Sequence, residues 1–106
     1  MNFLDELREL SKQASNLSRG KIDINIERKI RENVFEIMEE LYGNATPANF
    51  IKTTKLMYRD WSQSYSEDIR FGRDEDADKA MIKLSIFEWI VSLPSVQEMR
   101  SSLGEG

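Results

Sequence analysis

The chain has no cysteine and no histidine. The first absence excludes disulfides, the usual staple of a small secreted domain. Together the two exclude Ser-His-Asp and Cys-His nucleophile systems, thiolate chemistry and zinc sites of the usual ligand types. Proline is scarce, with only Pro47 and Pro94, and glycine is limited to five positions, a composition that suits helices. No two glycines stand closer than Gly104 and Gly106, so neither a phosphate-binding nor a dinucleotide-binding loop is present. Long apolar runs are also missing. The richest stretch, Ala80 to Leu93, is broken by Lys83, Ser85, Glu88 and Ser92, well short of the ~18 apolar residues of a membrane span. The start, Met1-Asn2-Phe3-Leu4-Asp5-Glu6, is acidic where a signal peptide is basic, so the expected location is cytoplasmic. No cofactor and no membrane partner are expected.

What is present fits one ordinary globular domain over residues 1–106. Hydrophobic residues make up 40% and charged residues 32%, enough apolar content for one core and too much for wholesale disorder. Apolar spacing predicts an all-α fold, a compact bundle of four to five helices. The first helix is expected over about 3–18, where Phe3, Leu7, Leu10, Ala14 and Leu17 follow a 4-3-4-3 spacing, with Asn2 as its cap and Arg19-Gly20 as its stop. That stripe also offers a route to self-association. A second helix is expected over about 26–42, with Ile26, Ile30, Val34, Ile37 and Leu41 inward, capped by Asp23 or Asn25 and stopped by Gly43-Asn44.

Thr46-Pro47 reads as a cap followed by proline at the first helical position. The third helix should run from there to at least Trp61, with Phe50, Thr54, Met57 and Trp61 on one face and Tyr65 and Ile69 as a possible extension. Serines at 62, 64 and 66 weaken that extension. Arg70-Phe71-Gly72-Arg73 is expected to be a loop. A fourth helix over about 75–93 is apolar on two faces, one with Ala77, Ala80, Met81, Leu84, Phe87 and Val91, the other with Ile82, Ile86, Trp89 and Leu93. Such a helix is expected at the centre of the bundle. After Pro94, Ser95-Val96-Gln97-Glu98 matches a capping box opening a short fifth helix with Val96, Met99 and Leu103 inward.

Two carboxylate groupings were weighed as metal sites. Glu36, Glu39 and Glu40 lack the Glu-x-x-His pairs of carboxylate-bridged bundles. Asp74-Glu75-Asp76-Ala77-Asp78 begins like a calcium loop, but Lys79 and Ser85 stand where glycine and glutamate are needed. These acids complement the dipole of the fourth helix instead. No metal and no catalytic residues are expected, and the chain reads as a non-enzyme.

The distribution of charge points elsewhere. Overall the chain carries −4, yet residues 50–73 hold five basic residues against three acidic ones. Phe50, Tyr58, Trp61, Tyr65 and Phe71 fall in the same segment. Lys52, Lys55 and Arg59 form one basic stripe, a candidate anion-binding face with Tyr58 beside it for stacking. The competing expectation pairs the stripe with Glu39, Glu36 and Glu32 across an antiparallel hairpin of the second and third helices. Tyr65, Arg70, Phe71 and Arg73 are the candidate partner-binding residues, because a ring flanked by arginines resembles a contact hot spot in composition. The alternative tucks Phe71 into the core and pairs both arginines with Asp68 and Asp74. The functional expectation is a small non-catalytic protein-binding protein, an adaptor or stoichiometric inhibitor, of the size and acidity common among phage and mobile-element products. A nucleic-acid-associated module using the basic residues of 52–73 is the runner-up.

Overall fold

The computed structural model describes residues 2–14 and 22–104. Its regular structure is five helices: α1 (Phe3–Ala14), α2 (Ile24–Asn44), α3 (Pro47–Arg70), α4 (Asp74–Val91) and α5 (Pro94–Ser102). The fold is thus an all-α bundle, as the spacing of apolar residues indicates. The helix starts follow the capping residues. Asn2 Oδ1 accepts from the Asp5 amide at 2.9 Å, Asp23 Oδ1 from Asn25 at 2.8 Å, and Thr46 Oγ1 from Asn49 at 3.2 Å. The expected last turn of the first helix, with Leu17 and its Arg19-Gly20 stop, lies outside the described residues.

Three rings tie the bundle together at one end. Phe3 of α1 sits 4.8 Å from Tyr42 of α2 and 5.2 Å from Phe50 of α3, centroid to centroid. Phe3, Leu7 and Ala14 of α1 are buried and Leu10 packs on the core.

α4 occupies the centre, burying Ile82, Ile86, Phe87 and Ile90. It packs most extensively on α3 and next on α2, whereas α2 and α3 barely touch beyond their shared turn. The wedge of α4 explains why two of the expected pairs between their charged stripes do not form. Among the described residues neither Glu39–Lys52 nor Glu32–Arg59 forms an ion pair, and Arg59 instead reaches its neighbour Asp60 at 3.8 Å. Trp89 is also not inward. It lies about 60° round the helix from the Ile82–Ile86–Ile90 side and keeps 36% of its surface exposed.

α3 does continue past the serines, to Arg70. Its inner face carries it: Tyr65 is half-buried and Asp68 buried, so packing outweighs a propensity loss of a few tenths of a kcal/mol per serine. The helix ends in a Schellman-type turn, in which the Arg73 amide donates to Asp68 O at 2.8 Å and Gly72 takes a φ of +71°, open to glycine without strain.

The start of α5 departs from the capping-box expectation. The helix begins one residue earlier, at Pro94, and the position before it, Leu93, offers no side-chain cap. The Ser95 amide donates to both carboxylate oxygens of Glu6 in α1, each at 3.2 Å. The Ser95 hydroxyl itself is buried without a partner. Val96 is fully buried, but Leu103 falls beyond the helix end and is 42% exposed rather than inward. Among the described residues no helix is long and apolar enough to cross a membrane.

Candidate protein-contact surface

The turn between α3 and α4 forms a corner whose apolar groups face outward. Phe71 is 65% exposed and Ile69 57% exposed. The guanidinium carbons of Arg70 and Arg73 lie 5.6 and 5.4 Å from the centre of the Phe71 ring. A ring held under two cations keeps one orientation while remaining in solvent, at about 0.5 kcal/mol per exposed cation–π contact. The expectation that buries Phe71 and pairs both arginines holds only in part. Phe71 does not tuck into the core, yet Arg73 does pair with Asp68, Nε to Oδ1 at 3.0 Å. The Asp68 side chain is only 12% exposed, so this pair anchors the turn to α3.

Tyr65, the remaining candidate residue, is half-buried. It shares a stripe of α3 with Tyr58, Ser62 and Ile69, spaced 4-3-4. Tyr58 stacks on Phe87 of α4 at 6.2 Å and its hydroxyl lies 3.5 Å from Glu88. Because α3 and α4 form a tight hairpin, that register sets Tyr65 level with Ala80 and Met81 and Ile69 level with Asp76 and Ala77. Met81 and Leu84 are half-buried and stand apart from the core cluster. An apolar strip of Tyr58, Tyr65, Ile69, Met81 and Leu84 thus leads along the two helices to the corner.

The opposite side of α4 is different in character. There α2 and α3 diverge and leave an open groove of about 390 Å³, into which Ile30, Asn33, Trp61, Asp68, Lys79 and Lys83 project. Lys83 lies 4.4 Å over the Trp61 ring, and Lys79 reaches Glu75 at 3.6 Å. Asp68 already accepts from Arg73. With Asp76 also at its wall, the groove carries two carboxylates and two lysines and presents no single sign to a ligand. The sequence carries a signal for this groove in the i, i+4 pair Lys79 and Lys83, the two cations of α4, but not for the divergence that opens it.

The candidate anion-binding residues Lys52, Lys55 and Arg59 lie on exposed positions of α3. The segment as a whole is less basic in three dimensions than along the chain. Residues 67–79 hold three cations, Arg70, Arg73 and Lys79, against six carboxylates, because the first turns of α4 fold back beside the corner. Among the described residues no group of three or more metal-ligating side chains comes together.

The described residues form a five-helix all-α bundle with an aromatic corner. Comparison with family models, curated proteins and solved structures finds no match.

Proposed function

We propose that this is a small non-catalytic protein-binding module, an adaptor or stoichiometric inhibitor, that docks through the α3–α4 corner with Ile69, Phe71 and Arg70 as direct contacts. The observation that supports this most is Phe71, an aromatic ring 65% exposed with two guanidinium groups within 6 Å of its centre. Large rings and arginines dominate hot spots because they bury much area for little lost side-chain freedom. Tyr65 contributes from the adjoining strip, and Arg73 acts by fixing the turn through Asp68. The lack of cysteine suits a reducing compartment, which supports a cytoplasmic reading.

The test is partner capture from native host extract with wild type, Phe71→Ala and Ile69→Ser. Loss of the same partner in both variants is expected. Equal recovery by all three proteins overturns the assignment of the site. Arg73→Glu is a poor probe, since it also breaks the pair with Asp68. A second reading, binding of nucleic acid, rests on the exposure of Lys52, Lys55 and Arg59 beside Tyr58, which is 44% exposed. A gel shift with DNA and RNA at about 50 mM salt tests it, because phosphate-driven binding is strongest there.

A further inference from the structure

The structure assigns a small-ligand site to the junction of α3, α4 and α5, suited to a carboxylate on a compact apolar body. Thr54, Lys55, Tyr58, Glu88, Val91 and Arg100 line an open pocket of about 290 Å³ there. Its nearest strip residue, Tyr58, is roughly 17 Å along α3 from Ile69, so the site is independent of the α3–α4 corner. The observation that carries it is Arg100, whose Nε is buried with no hydrogen-bond partner. Among the described residues its guanidinium enters no ion pair. Arginine keeps its charge in proteins, so it cannot relieve that burial by losing a proton. A place in the last turn of α5 suits a cation, because the helix dipole is negative there, but it gives Nε no acceptor. An occupant with a carboxylate supplies one, in the bidentate geometry that the guanidinium fork matches.

The rest of the lining sets the charge and size of the occupant. Lys55 and Arg100 against Glu88 leave the pocket one positive charge in excess. That matches a carboxylate better than a phosphate monoester, which carries roughly two negative charges. Lys55 already interacts within the protein and adds its charge from there. Glu88 accepts from the Tyr58 hydroxyl at 3.5 Å and does not pair with Arg100. The Thr54 hydroxyl donates to Ile51 O at 2.7 Å, so it is already satisfied within α3. The Tyr58 ring, stacked on Phe87, and the half-buried Val91 supply an apolar wall. A pocket at the small end of ligand sites takes a body of about one ring or a short aliphatic chain.

The test follows the Arg100 Nε–H and backbone amide signals by nuclear magnetic resonance as phenylacetate is added at about 50 mM salt. Phenylacetamide, neutral and of the same shape, and inorganic phosphate are the comparison probes. Phenylacetate is expected to shift the Arg100 Nε–H and the amides beside Thr54, Glu88 and Arg100 saturably. Phenylacetamide and phosphate should each bind at least about ten-fold more weakly. Arg100→Lys keeps the charge but not the fork and should weaken phenylacetate about ten-fold, with the amide signals of α1 and α2 unchanged as proof of folding. Glu88→Gln removes the like charge and should tighten binding about two-fold. Arg59→Gln removes an exposed cation of α3 outside the pocket and should leave it unchanged. Equal shifts with phenylacetate and phenylacetamide, no shift with either, or wild-type binding by Arg100→Lys overturns the site. Phosphate binding as tightly as phenylacetate overturns the apolar carboxylate as its ligand. If Arg59→Gln weakens binding as much as Arg100→Lys, general surface charge explains it and the pocket assignment falls.

Discussion

Glu6 is the residue on which the fifth helix depends most. A helix N-terminus leaves its first amides without intrahelical partners. In α5 the accounting closes: Pro94 has no amide hydrogen, Val96 and Gln97 donate to Leu93 O at 3.0 and 3.1 Å, and Ser95 donates to Glu6. Replacing Glu6 by alanine leaves one part-buried amide unsatisfied, worth about 1–3 kcal/mol. It also removes a carboxylate from the positive end of the helix dipole, worth about 0.3–1 kcal/mol. Glu6→Ala should therefore destabilise the protein by about 2–3 kcal/mol, and Glu6→Gln, which keeps an acceptor but not the charge, by about 1 kcal/mol. At about 4 °C per kcal/mol for a domain of this size, the melting temperature should fall by roughly 10 °C and 4 °C. Urea unfolding followed by circular dichroism reads the free energies, and amide exchange at Ser95 reads the local event. A Glu6→Ala protein within about 0.5 kcal/mol of wild type, with Ser95 exchange unchanged, would refute the reasoning.

Further expectations concern neighbouring groups. Ser95→Ala should be neutral or stabilising by up to about 1 kcal/mol, since it removes a buried hydroxyl that has no partner; a loss of about 1 kcal/mol would restore the serine as a cap. Phe71→Ala should cost less than about 1 kcal/mol in thermal unfolding, while Phe87→Ala, in the core, should cost about 3–5 kcal/mol. Similar losses for both would mean that the corner is structural. Asp68→Asn should cost about 2 kcal/mol and loosen the turn, seen as faster exchange of the Arg73 amide, because it discharges a mostly buried carboxylate bonded to Arg73. In gel shifts, no retardation of DNA or RNA at about 50 mM salt is expected from the protein-binding reading, and retardation lost in Lys52→Glu/Arg59→Glu would favour the nucleic-acid reading.

Local signals carried most of the fold. Caps at Asn2, Asp23 and Thr46, and periodic apolar residues such as Phe3-Leu7 and Ile82-Ile86-Ile90, act within one or two turns, so they can be read from the chain directly. Structure and local pattern part where a distant group decides. Ser95 matches a capping box locally, yet its amide is met by Glu6, 89 positions away. The stripes of α2 and α3 match in sequence, but α4 enters between them. The corner was visible as Arg70-Phe71-Gly72-Arg73, since the glycine marks the turn and no apolar spacing claims Phe71. Its acidic surroundings were not, because they arise only when α4 folds back beside α3.

Site-specific photo-crosslinking in native host cells tests the central claim most directly. A photoreactive phenylalanine analogue would replace Phe71 in one protein and Glu32, on the exposed side of α2, in another. A discrete protein adduct from position 71, absent from position 32 and abolished by Ile69→Ser, is the expected result. No adduct at position 71, or the same adduct from both positions, would contradict a contact surface at this corner.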